Sequence, residues 1–318
     1  MDLRDIYANK LLELMNRNDK IVAIDADLAK ANGTLMLRKH HPDRAFDVGV
    51  AEANMACIAA GMASYGMILF IGSFTPFATR RICDQIAISI AYAKRNVKII
   101  GSDPGISAEL NGGTHMSVED IGVLRSIPGL IIMEACDGVE LAQMVEVMAA
   151  YDGPVYLRLF RKARPDVHTA DYHFEWGRAD VIRPGSDVSI FASGIMVHEA
   201  QQAVELLAAE GISAELINIH TIKPIDRAGV VRSVRKTGAA VSAENHNVIG
   251  GLGSAIAEVL SQECQVPLTM VGIQDHFGEV AYMPYLKEKY GMTPQDIVSA
   301  AKKAIAAKGK VIAAREEK

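Results

Sequence analysis

Five short, uninterrupted apolar runs constrain this chain more than any other feature: KIVAID (20–25), MILFI (67–71), VKII (97–100), LIIM (130–133) and PVYLRL (154–159). A strand that alternates apolar and polar residues keeps one face in water. A strand that is apolar throughout is buried on both faces, as in a parallel sheet covered by helices. Longer helical patterns separate the runs, among them Phe77–Lys94 and Gly138–Ala150. Strand–helix–strand repetition of this kind predicts an α/β doubly wound layer. Residues 161–186 interrupt it with charge, proline and the only tryptophan, Trp176, which predicts a linker with a short surface hairpin. The pattern then restarts: strands at 188–193, 214–219, 239–244 and 268–273, with helices at 195–210, 226–236, 252–263 and 295–307. At 318 residues the chain exceeds what one core usually supports. We therefore expect two doubly wound α/β domains, 1–165 and 186–318, joined by a linker at 166–185, with a frayed tail at Ala313–Lys318.

Several classes drop out. Thirty-three Lys and Arg against 38 Asp and Glu leave no basic field to neutralise a nucleic-acid backbone. The four cysteines, Cys57, Cys83, Cys136 and Cys264, stand far apart without a CxxC, which excludes structural zinc and suits buried thiols in a reducing cytoplasm. Residues 1–17 form an amphipathic pattern without the apolar centre of a signal peptide. The apolar stretch Ala53–Gly72 is interrupted by Asn54, Gly61, Ser64 and Gly66, so it reads as a buried helix (52–65) and a strand (67–71), with no membrane span. Aromatics make up only 6% of residues. Alanine-rich helices must fill the interior or press against a large subunit interface.

A few residues stand out against this background. Glu52 opens a helix whose next residues are almost wholly apolar. A carboxylate at a helix N-terminus gains from the dipole, but one entering a buried helix needs a partner. Phe74 and Phe77 follow a strand and point to one side, either into the core or toward a flat ring. NGGTH (111–115) places His115 in a loop on the side of the sheet where α/β ligands bind. Met116–Arg125 reads as a helix with a capping-box-like start from Ser117 and Asp120. Arg158, Arg161, Lys162 and Arg164 form a basic cluster that is either a solvated linker or a phosphate site. GGLGS (250–254) is a tight turn into a helix or an anion site, since it lacks the third glycine of a dinucleotide fingerprint.

Order and spacing carry more than these motifs do singly. RAFDVGVAEANMACIAAGMASYG, FIGSFTPFATRR, GGTHMSVEDIGVLRSIPGL and DGPVYLRLFR together resemble the pyrimidine-binding domain of a transketolase, and VSAENHNVIGGLGSAIAEVL resembles the transketolase C-terminal domain. No Gly-Asp-Gly triplet occurs, and in transketolases that motif helps hold Mg²⁺ and the cofactor diphosphate. The resemblance thus implies the second subunit of a split transketolase in an α2β2 assembly, with Mg²⁺ held by an N-terminal diphosphate-binding partner subunit. It implies that Glu52 hydrogen-bonds N1′ of the aminopyrimidine of thiamine diphosphate. Phe74 and Phe77 would pack on that ring, and Asp27 would lie near the cofactor across the dimer interface. His115 would face the reacting end of the substrate, Asn111 its hydroxyls, and Arg161 and Arg4 its phosphate. The cofactor would carry the hard step, moving a two-carbon ketol unit from a ketose to an aldehyde.

Four positions depart from the family pattern: Asn111 stands for an aspartate, Ala31 for a phosphate-binding serine, Ser102 or Asp103 for a histidine, and Ala53 for a larger residue. Three of the four fall in the substrate channel, which implies an atypical ketose, branched, sulfonated or otherwise modified. A 2-oxoacid dehydrogenase β subunit shares the two-domain plan. A non-catalytic paralogue would have no need of Glu52, Phe74 and His115.

Overall fold

A computed structural model describes residues 1–316. Two sheets organise it. The first contains β1 (Ile21–Asp25), β2 (Ala45–Asp47), β3 (Ile68–Phe74), β4 (Val97–Ser102), β5 (Ile131–Glu134) and β6 (Val155–Leu159). The second contains β7 (Asp180–Arg183), β8 (Val188–Ala192), β9 (Ala214–Asn218), β11 (Ala240–Asn247) and β12 (Leu268–Ile273), while β10 (Thr221–Lys223) crosses over. The seven-stranded order is β10-β5-β6-β4-β3-β1-β2 and the five-stranded order β12-β11-β8-β9-β7. β1 to β6 pair in parallel, for example Ile71 with Ile99 and Ile100 with Leu157. Every residue of β1, β4, β5 and β6 is buried, as uninterrupted apolar runs require. The architecture is the doubly wound α/β pair expected.

On one face of the first sheet the helices Leu3–Arg17 and Gly138–Ala150 pack together, and their core continues into the second domain. On the other face lie the helix Glu52–Ala63 and the segment carrying Ile82, Ile86 and Ile90. The Glu52 helix buries only its inner side, through Met55, Ala56, Ala59 and Ala60. Ala53, Asn54, Cys57, Ile58 and Gly61 face outward. The expectation of buried thiols therefore fails: Cys136 alone is buried, and Cys57 is exposed.

Four local expectations are corrected. The helix expected at Phe77–Lys94 breaks into a turn at Thr75–Ala78, a 3₁₀ turn at Arg80–Ile82 and a π-helical stretch at Gln85–Tyr92. Thr79 is non-helical (φ −129°, ψ −85°), and its hydroxyl donates to the Thr75 carbonyl at 2.6 Å. The helix expected from Met116 starts only at Asp120, and no capping box forms. Ser117 is buried, its hydroxyl unpartnered, and the Asp120 carboxylate is engaged elsewhere. The surface hairpin expected within 161–186 is absent among the described residues, because β7 pairs with β9 instead. Trp176 is half-buried and packs at a tilt against Tyr151, with ring centroids 5.0 Å apart. The final helix, Pro294–Glu316, outlasts its expected end and runs into the tail expected to fray, of which residues 317 and 318 lie outside those described.

Candidate active site

In a parallel sheet the carboxyl ends of the strands and the loops that follow them form the ligand-binding edge. Here that edge is built from the segments after β1, β2, β3 and β4. Glu52 begins the helix after β2 and is 3% exposed. Its Oε1 accepts from the Ser73 hydroxyl at 3.3 Å and its Oε2 from Arg81 Nη1 at 2.8 Å. The Arg81 guanidinium lies 3.9 Å above the centre of the Phe77 ring. The carboxylate entering a buried helix thus has its partners, and both come from the segment around β3.

His115 stands edge-on to two rings, 5.7 Å from Phe74 and 5.1 Å from Phe77 between centroids. Its Nδ1 meets the Thr114 hydroxyl at 2.9 Å. Asp27 ends the first segment in the left-handed region (φ 61°), with its backbone N–H donating to Asp47. A cleft of about 320 Å³ gathers these groups: Asp27, Glu52, Phe74, Phe77 and His115 line it together with Ala26, Leu28, Val50 and Arg81. Five positions named from the sequence meet in one cavity. Arg81 was not among them, though its spacing of four from Phe77 is a signal that a ring and a guanidinium stack.

Arg161 lies past the cleft, its guanidinium 5.1 Å from the centre of the Phe74 ring. Its Nε donates to Asp103 Oδ2 at 2.6 Å. Arg4 lies beside it: the Nη1 groups of Arg4 and Arg161 both point at the Ala31 carbonyl, each at 3.4 Å. Of the two residues that could stand in the histidine position, Asp103 faces Arg161, whereas Ser102 is buried and donates to the Ser73 carbonyl at 3.3 Å. Asn111 is exposed on the loop that carries His115 and does not line the cleft. Beneath the floor, burial pushes Asp25 up to about 6, against hydrogen bonds from Thr34 and Asn32.

The remaining basic residues lie elsewhere. Arg158 is fully buried, donating to Asp120 at 2.7 Å, to Glu134 at 2.7 Å and to the Asn245 carbonyl at 2.9 Å. It ties the two halves together and is neither solvated nor a phosphate ligand. Burial opposes ionisation of Asp120, but the Arg158 charge and hydrogen bonds hold its carboxyl below the usual range. Arg164 donates to the Ile195 carbonyl at 3.0 Å, and Lys162 pairs with Glu109. At GGLGS the N–H groups of Leu252 and Gly253 already donate to the Glu244 carboxylate, so an internal group fills that helix N-terminus.

Cys136, Asp137 and His168 bring their polar atoms within 4.8 Å of one another, a spacing that suits a metal ion. Both ring nitrogens of His168 are taken, by Asp137 and by Asp180 at 2.9 Å each. Burial lowers this imidazole, but the two carboxylates outweigh it and push it up to about 10, and with both nitrogens engaged the ring offers no free ligand atom.

The fold has close counterparts. The model of the transketolase pyrimidine binding domain matches residues 1–165, and that of the transketolase C-terminal domain matches residues 177–297. The chain belongs to the transketolase family. It has the extent of the second subunit of a split transketolase, the pyrimidine-binding domain followed by the C-terminal domain. It is 53% identical over 299 residues to the 6-deoxy-6-sulfo-D-fructose transketolase subunit SqwH of Clostridium sp. (strain MSTE9), covering 94% of this chain and 93% of that one. An apulose-4-phosphate transketolase subunit from Phocaeicola vulgatus is 35% identical over 276 residues, 86% of this chain and 87% of its own. Among solved structures, a split gene transketolase described as an inactive beta4 tetramer superposes with a TM-score of 0.90 at 42% identity, covering 97% of this chain and 99% of that one.

Proposed function

We propose that this chain supplies the pyrimidine half of a thiamine-diphosphate site and, with a partner chain, transfers a two-carbon ketol unit from a ketose bearing a terminal sulfonate to an aldehyde acceptor. The observation that carries this reading is Glu52, a buried carboxylate held by Ser73 and Arg81 at the wall of a cleft flanked by two aromatic rings. Such a cleft fits the flat, nitrogen-bearing end of thiamine diphosphate. It does not fit the diphosphate: the one arginine lining it is paired with Glu52, and Asp27 and Glu52 are acidic. The diphosphate and its Mg²⁺ therefore belong to the partner chain. Outward-facing Ile58, Tyr65, Ile88 and Tyr92 offer an apolar surface for that partner or for a second copy, in keeping with an α2β2 assembly. Among the described residues no helix is long and apolar enough to cross a membrane.

Within the site each side chain has one task. Glu52 holds a proton at the pyrimidine N1′, and Ser73 and Arg81 fix its carboxylate for that exchange. Phe74 and Phe77 pack on the ring and keep water from it. Asp27, at the exposed mouth, meets the cofactor where the subunits join. Bound there, thiamine diphosphate supplies the carbon nucleophile and the electron sink. His115, steadied by Thr114 and the two rings, donates to the oxygen of the substrate on which charge develops. Arg161 and Arg4 hold the terminal anion. The sulfonated donor is supported by the similarity to SqwH and by the absence of a hydroxyl at Ala31.

The test is Glu52→Gln in the complex with the diphosphate-binding partner, assayed for ketol transfer. Gln keeps the size but cannot exchange the proton, so the chemical step should slow by about 10²-fold or more. Arg81 is 44% exposed and keeps its stacking on Phe77, so the freed guanidinium is solvated and the melting temperature should barely move. Near-normal turnover in this variant would overturn the reading.

A further inference from the structure

We propose that Asp103 sets the charge of the terminal-anion pocket, so that Arg161 and Arg4 accept a monoanion such as a sulfonate in preference to a dianion such as a phosphate ester. This rests on the reading of the cleft given above and names the residue that would tune its far end.

Asp103 follows β4 directly and is 3% exposed. Its backbone is in the left-handed region (φ 52°), an uncommon conformation for a residue with a side chain, and it is anchored by an N–H donated to the Leu159 carbonyl at 2.9 Å. Strain of this kind persists where surrounding structure imposes it. What it achieves here is to turn the carboxylate onto Arg161. Oδ2 takes the side-chain Nε at 2.6 Å, and Oδ1 takes the backbone N–H of Arg161 at 3.3 Å. One side of the guanidinium is thereby neutralised. The other side, Nη1, has only a long 3.4 Å contact to the Ala31 carbonyl and keeps its donor capacity.

The other charges leave no surplus. Arg4 has Asp2 at 3.2 Å and Asp5 at 3.8 Å. Lys162, the next cation, is paired with Glu109. Burial holds the Asp103 carboxyl above the usual carboxylate range, and Arg161 and Lys162 pull against that shift without cancelling it. An incoming group thus meets two guanidiniums whose charge is largely balanced by fixed carboxylates. A sulfonate carries one charge spread over three oxygens at any working pH. A phosphate ester carries nearly two above its second pKa of ~6. The extra charge faces the buried Asp103 across Arg161 in a poorly screened place. Asp103 acts through Arg161, as a positioning residue.

The experiment uses the reconstituted complex with two donors that differ in the terminal group, 6-deoxy-6-sulfofructose and fructose 6-phosphate. The ratio of their kcat/KM values is measured for the wild type and for Asp103→Asn. We expect the wild type to favour the sulfonate, and Asp103→Asn to shift the ratio at least ~10-fold toward the phosphate. A second arm needs no variant. Lowering the pH from about 8 to about 6 turns much of the phosphate ester into its monoanion, so its KM should fall relative to that of the sulfonate. A ratio that Asp103→Asn does not move overturns this inference, whatever the pH arm shows, and leaves the ketol-transfer reading intact. Absence of turnover with both donors overturns the reading of the cleft, and this inference with it.

Discussion

His168 provides the most direct measure of how firmly the connecting segment is pinned. Its ring is stacked on Tyr172 with centroids 3.8 Å apart, and its two nitrogens bridge Asp137, from the first half, to Asp180 on β7. Asp137 is further held by the N–H groups of Val167, His168 and Glu140. Moving an imidazole from 6.5 to about 10 corresponds to ~5 kcal/mol of extra proton affinity in the folded state. Asp180 is 28% exposed, so water screens part of the charge, and we discount the contribution to ~2 kcal/mol. The folded pKa lies above the unfolded one. The stabilisation is therefore complete below about pH 6.5 and is lost as pH rises through about 10. For a chain of 318 residues the entropy of unfolding is ~0.7 kcal/mol/K, so ~2 kcal/mol is ~3 °C in melting temperature. Thermal melts of wild type and His168→Gln should thus differ by ~3 °C near pH 7, and the gap should close by about pH 10.5. Stacking on Tyr172 does not depend on the proton. A gap of the same size at both pH values would refute the ionic argument and assign the effect to packing.

Other expected outcomes follow from single contacts. The purified chain alone should show no ketol transfer, with activity appearing on addition of the diphosphate-binding partner; full turnover by the isolated chain would contradict the split site. Asp120→Ala strips Arg158 of one of its two buried carboxylates and should cost ~3–5 kcal/mol in denaturant titrations. Gly105 has φ +57° and lies against Asn245, so Gly105→Ala should lower the melting temperature by several degrees through strain and collision with the second half. Steady-state assay with xylulose 5-phosphate and ribose 5-phosphate should give kcat/KM well below the ~10⁴–10⁵ M⁻¹s⁻¹ of an enzyme on its own substrate.

Much of this was legible because it was local. Each apolar run became a strand, and Glu52, Phe74, Phe77 and His115 came together because each ends or follows a strand of the first sheet. Most of what escaped depended on partners distant in the chain. Arg158 reads as part of an exposed basic cluster until Asp120, 38 residues away, is seen to neutralise it. That same capture removed the capping box expected at Ser117. Arg81 was hidden by a helical pattern that Thr79 interrupts. The three residues of β10 have no strand signature of their own, since their pairing is with Ile132 and Met133.

That short strand bears on how the protein is made. β10 closes the β5 edge of the first sheet, yet it is encoded about 90 residues after β5, beyond three strands of the second sheet. On the ribosome, every other strand of the first sheet can form and pack while the β5 edge still waits for Thr221–Lys223 to emerge. During that interval an apolar strand presents unpaired backbone groups and is exposed to association with other nascent chains. A fragment ending near residue 165 would carry that exposure permanently. Expression of the first half alone is therefore a poor route to a soluble pyrimidine-binding unit, and a circular permutant that brings Thr221–Lys223 next to β5 is a better one.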